Sequence, residues 1–210
     1  ELNSATDNPL VIDGKVISGG NFHGQPVGAA MDYLTLALTS LASMSERRVN
    51  QLLDDRQSGL PAFLVPNPGL NSGLMISQYT AASLVNECRV LATPASVQSI
   101  PVSAEQEDHI SMATFAADKA LQVMSRVTAI AAIELLTACQ AIDFRLEGRN
   151  TVDSMGKPLH ALYSAIRCLV PFISRDERLS GYIDELARFI DSGELHGILQ
   201  EERSTLILEE

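Results

Sequence analysis

Tryptophan is absent from this 210-residue chain and aromatic residues make up only 5% of it; long Ala-rich helices without such rings pack closely against several neighbours. Basic charge is also scarce. The 15 Lys and Arg residues face 26 Asp and Glu, leaving a net charge of -11, and the longest basic cluster is Arg47–Arg48, which excludes a phosphate-binding surface for nucleic acid. Cys88, Cys139 and Cys168 are odd in number, far apart and outside any CxxC spacing. Neither a disulfide framework nor a zinc knuckle is expected, and a reducing cytoplasm fits. The most apolar windows, near 27–44 and 112–142, are interrupted by Asp32 and by Asp118, Lys119, Arg126 and Glu134, so no membrane span is expected. The start, "ELNSATDNPL", has no basic n-region, apolar h-region or initiator Met, so an internal start is expected. What is present is apolar residue in quantity: 46% hydrophobic content suffices for a sizeable core in one large domain or two small ones.

Pattern then gives the order of elements. "PLVIDGKVI" sets Asp13-Gly14 between two short β-branched runs, the chemistry of a two-residue type I′ hairpin. "SGGNFHGQP" reads as a shaped loop, with Pro26 suited to a first helical turn. Apolar residues at helical spacing (Met31, Leu34, Leu38, Leu41, Met44) predict a long helix over 27–54, and "NSGLMISQYTAASLVNECRVLA" predicts a second, capped by Asn71 or Ser72. A third pattern runs from about Glu107 to Arg145. "LEGRNTVDSMGKP" reads as a linker, followed by amphipathic helices near 158–173 and 176–191 and a closing "DSGELHGIL". The fold class expected is all-α, a long-helix bundle with one short N-terminal β-hairpin, divided into a central helical-bundle segment 1–146 and a C-terminal helical segment 147–210.

Chemistry concentrates in "SAEQEDHISM", where Glu105, Gln106, Glu107, Asp108 and His109 stand together ahead of the third helix. His23, His109, His160 and His196 show no HxxxH or HExxH spacing, so no metal is expected. "GLNSG" lacks the GxSxG order of a hydrolase elbow, and "SGGNFHG" is not GxGxxG. A bland reading of "EQEDH" is an acidic helix N-terminus, each carboxylate stabilised by roughly 0.3–1 kcal/mol. It leaves four adjacent polar groups in need of partners wherever they are desolvated.

Several segments in register carry more. "DNPL", "SGGNFHGQPV", "SERR", "LPAFL", "GLNSGLMISQYTAASLVNE", "SIPVSAEQEDHISM" and "ELLTACQAIDFR" resemble the histidine ammonia-lyase family in order and spacing, strongly over residues 1–145 and loosely beyond. The resemblance implies the C-terminal portion of an enzyme turning L-histidine into urocanate and ammonia. It also implies a methylidene-imidazolone cofactor, made from an Ala-Ser-Gly segment that does not occur here. The family's catalytic tyrosine, its amine-side His and Asn and its carboxylate-binding arginine lie in the missing part, so these 210 residues alone are expected to be inactive. By motif, Glu107 takes the role of the carboxylate beside cofactor and imidazole, favouring positive charge on the ring as ammonia leaves. Phe22 matches the family's aromatic residue near the cofactor. Asn21 and Gln106 become near-site neighbours, and His23, Asp108 and His109 a supporting layer. The resemblance further implies a homotetramer around long helices, in which Glu107 and Phe22 meet from different chains. Two rivals remain open: a tyrosine or phenylalanine lyase or aminomutase with the same cofactor, and a non-catalytic helical oligomerisation module.

Overall fold

A computed structural model describes residues 1, 3–146 and 155–208, with side chains through 201. Strands β1 (Leu10–Ile12) and β2 (Lys15–Ile17) pair antiparallel, Val11 opposite Val16. Asp13 and Gly14 between them both take positive φ, 51° and 74°, as a type I′ turn requires. The helices are α1 (Gln25–Leu53), the single turn α2 (Asp55–Ser58), α3 (Met75–Leu91), α4 (Ala113–Leu146), α5 (Lys157–Leu169), α6 (Ser180–Asp191) and α7 (Glu194–Leu208). Among the described residues the chain is thus mostly helical with one short antiparallel hairpin, the class expected. The linker expected around 146–158, and with it the expected boundary at 146/147, falls largely on residues outside those described.

The chain forms two compact units: residues 1–40 with 87–125, and residues 41–86 with 126–210. The second is built on large aliphatic side chains. Leu64, Leu74, Ile130, Ile133, Leu136, Ile166, Ile173 and Leu186 are fully buried there. At their centre Gln140, itself 0% exposed, donates to the carbonyls of Leu64 (3.0 Å) and Ile173 (2.8 Å) and accepts from the Ile173 N–H (3.1 Å). One side chain therefore satisfies the backbone of two irregular segments that the helices leave unpaired. Asp176 performs a similar service at the start of α3, its carboxylate accepting from the Ser72 and Gly73 amides at 2.8 Å. The sequence suggested Asn71 or Ser72 as the cap; α3 instead begins at Met75, and the loop ahead of it is held by a carboxylate more than a hundred residues away.

The first unit is built differently. Its buried residues are mostly small or polar: Cys88, Ala95, Ala116, Ala120 and Val123, together with Asp32, Thr35, Thr39, Ser96 and Lys119. Asp32 on α1 and Lys119 on α4, 5% and 4% exposed, form an ion pair at 3.4 Å. Helices α1 and α4 do reach the length and apolarity of a membrane span by composition, against the expectation from their interrupting charges. Within the first unit, however, two of those charges are buried against each other, an arrangement that pairing makes tolerable inside a helical bundle.

Candidate functional site

All of the sequence-predicted site residues lie in the first unit, on two loops. The glycine loop, 18–24, leaves the hairpin and enters α1. Asn8 fixes its start, the side-chain carbonyl accepting from the Ser18 hydroxyl (3.1 Å) and the Gly19 amide (2.9 Å). Asn21 and Phe22 stand exposed on it, Phe22 by 51%. Gly24 and Gly28 have a clear reason to lack a side chain: a Cβ at Gly24 would sit 2.9 Å from the Ser111 hydroxyl oxygen, and one at Gly28 3.0 Å from the Ser111 carbonyl oxygen. Their absence lets the chain leading into α4 lie directly against the start of α1.

The acidic loop overturns one expectation. Glu107 is not at a helix N-terminus, because α4 begins only at Ala113. Val102 and Glu107 instead exchange backbone hydrogen bonds (3.0 and 3.3 Å), and Gln106 N–H donates to the Ser103 carbonyl (3.2 Å). Between them Ser103, Ala104 and Glu105 all lie in the left-handed region, at φ 55°, 53° and 67°. Helix-end stabilisation therefore does not account for the carboxylates. Pro101 and the tight turn keep the segment out of a helix, and Gln106, Glu107, Asp108 and His109 are all exposed. Beyond them the Ile110 amide donates to Ser99 Oγ at 2.8 Å, closing the base of the loop.

The two loops meet through histidines. His23 Nε2 is 2.9 Å from the His109 carbonyl oxygen, the two rings stack at 5.1 Å with planes 22° apart, and His23 Nδ1 accepts from the Gln25 amide at 3.1 Å. Behind His23 the bonds continue inward. Gln25 Nε2 donates to the Ser96 carbonyl (3.2 Å), the Ser96 amide donates to Asp32 Oδ2 (2.7 Å), and Lys119 pairs with Asp32 while donating to the Thr93 carbonyl. Burial pushes the Asp32 carboxyl upward, yet hydrogen bonds from the Ser96 and Ala95 backbone and the Ser96 side chain, with the Lys119 charge, hold it below its ordinary 3.8. It stays ionised. Gln25 Oε1 is buried with no hydrogen-bond partner among the described residues.

Sequence reading found both loops but missed Gln25, Ser96 and Ser111. Asp32 and Lys119 registered only as interruptions of an apolar stripe. The signal was available, because a charge on the buried face of a helix requires a partner. A hollow of about 640 Å³ lies in the second unit between Ser72, Ile76, Asp176 and Asp184, and none of the predicted residues lines it. Next to the acidic loop, Ile110–Phe115 and Asp118 line an open hollow of about 470 Å³. The exposed Glu107 carboxylate can accept an N–H from a small cationic or heteroaromatic ligand, and the exposed Phe22 ring on the other loop offers a flat apolar face.

Comparison with known proteins gives the family of the chain. The sequence pattern of the aromatic amino acid lyase family matches residues 1–168. Histidine ammonia-lyase of Caldanaerobacter subterraneus subsp. tengcongensis is 52% identical over 206 residues, 96% of this chain but 39% of its own length. The crystal structure of histidine ammonia-lyase from Trypanosoma cruzi superposes with a TM-score of 0.90 at 45% identity, over 96% of this chain and 40% of that one. Tyrosine aminomutase from Streptomyces globisporus follows, with a TM-score of 0.88 at 41% identity, over 96% and 38%. The chain thus spans about two-fifths of the length of the relatives it matches, and it belongs to the aromatic amino acid lyase family.

Proposed function

We propose that this chain is the C-terminal portion of a carbon–nitrogen lyase that deaminates L-histidine to urocanate and ammonia, and that Glu107 is its residue on the substrate's imidazole. The observation that carries the reading is the "QEDH" loop: an exposed Glu107 carboxylate on a turn fixed at both ends. A carboxylate there accepts an imidazole N–H and stabilises positive charge that grows on the ring as ammonia departs, so its effect falls on the transition state more than on binding. The identity to proteins named histidine ammonia-lyase supports the same substrate.

The family's methylidene-imidazolone group fits the residues present. Phe22, half-exposed on a loop fixed by Asn8 and His23, offers a ring face on which a flat cofactor can pack, with Asn21 beside it to orient polar atoms. Bound there, the group supplies the electrophile. Phe22 excludes water from that contact, Gln106 borders it, Asp108 follows Glu107 on the exposed loop, and His109 ties that loop to His23. Self-association into a tetramer would cover the apolar side chains that α1 and α4 leave exposed, among them Tyr33, Leu34, Phe115 and Leu121. The three cysteines are free, in keeping with a reducing cytoplasm; burial pushes the Cys139 thiol up to about 11 and makes it inert. The similarity to a tyrosine aminomutase keeps a second reading, the same cofactor acting on tyrosine or phenylalanine.

The test is ultraviolet detection of urocanate from L-histidine, run on the 210-residue chain and on a complete protein carrying it, with tyrosine and phenylalanine in parallel. Urocanate from the complete protein alone is expected. Coumarate or cinnamate without urocanate would move the assignment to the second reading.

A further inference from the structure

Of the side chains on the two loops, His23 is the one that grips both. The Gln25 amide can only donate, so the Nδ1 atom that accepts it carries no proton, and the proton of the neutral ring sits on Nε2. There it meets the His109 carbonyl at 2.9 Å, an oxygen that can only accept. Both neighbours thus select one tautomer, and the stacked His109 ring adds a second contact. Gln25 in turn is tied through Ser96 to the buried Asp32–Lys119 pair. A line of bonds therefore runs from the interior of the first unit to a carbonyl two positions past Glu107. The turn on the other side of Glu107 has three successive residues at positive φ, conformations that L-residues hold only under outside constraint. Without such constraint the segment bearing Glu107 would relax.

We propose that His23 is a positioning residue for Glu107: as the Nε2–H tautomer it clamps the His109 carbonyl, holding the acidic loop on the glycine loop so that the Glu107 carboxylate keeps its orientation toward the substrate. This rests on the reading that Glu107 contacts the imidazole. A small displacement of a group that acts in the transition state lowers kcat more than it raises KM.

The experiment is a double-mutant cycle in the complete enzyme, with His23→Ala, His23→Gln, Glu107→Gln and the His23→Ala/Glu107→Gln pair, following kcat and KM for L-histidine. His23→Ala is expected to lower kcat about 10–100-fold with little change in KM. The side-chain amide of His23→Gln can donate to the same carbonyl and is expected to restore most of that rate. In the Glu107→Gln background the His23→Ala loss is expected largely to vanish, because the two act as one unit. Should His23→Ala not fold, His23→Phe keeps the stacked ring without the donor and gives the same comparison. Independent, multiplying losses, or a Gln variant as impaired as the Ala or Phe one, would overturn the role of His23 while leaving that of Glu107 standing. Undiminished turnover in Glu107→Gln would overturn the role of Glu107 and, with it, this one.

Discussion

The two compact units solve the same problem with different materials. In residues 41–86 with 126–210, leucine, isoleucine and valine fill the interior; Gln140 and Asp176 satisfy the backbone of turns, and Glu46 and Asp143 pair with Arg47 and Arg167 nearer the surface. In residues 1–40 with 87–125 the interior holds alanine, threonine and an ion pair, Val123 is the one large aliphatic side chain fully buried there among the described residues, and Tyr33, Leu34, Leu36, Phe115, Leu121 and Met124 are exposed. The polar line that starts at Lys119 does not stop at a turn. It ends on the loop that carries Glu107. Both units expose large apolar side chains, Leu70, Ile76 and Tyr79 among those of the second; what separates them is the interior, where the first unit directs its buried polar groups to exposed chemistry and the second surrounds its own with aliphatic packing.

That contrast can be broken by substitution. The largest effect is expected in the aliphatic unit: Gln140→Leu would strand two carbonyls and one amide in the core at a cost of about 4 kcal/mol, read as a lower urea midpoint. In the other unit Lys119→Met would leave Asp32 buried without its counter-charge, a loss of about 3 kcal/mol. Replacing both partners by neutral residues should cost less than replacing either one, a sign that the pair orients more than it stabilises. Gly73→Ala would force a side chain into φ 51° and place its Cβ 2.6 Å from the Phe63 carbonyl oxygen, at about 2–3 kcal/mol by the same measurement. The smallest effect concerns acid. Because the Asp32 carboxyl is held below its ordinary 3.8, its contribution is fully present above that value and fades as pH falls through its lowered folded value. The stability gap between the wild type and Asp32→Asn should therefore narrow only below pH 3.8, in urea titrations repeated along a pH series.

Much of this was legible before any coordinates. The Asp13-Gly14 hairpin, the long helices and the two loops all follow from local signals: turn chemistry, 3.6-residue periodicity, and glycine or proline breaks. What was not legible was non-local. Nothing near Ser72 announces that Asp176 will hold its amide, and nothing near His23 announces His109, because these bonds join residues that only tertiary packing brings together. The start of α4 was misplaced for a related reason. Glu107 and Asp108 look like a helix entrance, yet the backbone pairing of Val102 with Glu107 and the approach of Ser111 to Gly24 and Gly28 keep the chain irregular until Ala113.

The proposed role of Glu107 is that its exposed carboxylate lines a histidine-deaminating site. It is tested most directly by the rate of urocanate formation from L-histidine in the complete enzyme with Glu or Gln at position 107. A fall of about 100-fold in kcat, with the Gln variant still folded and assembled, is the predicted result; an unchanged rate would contradict the claim.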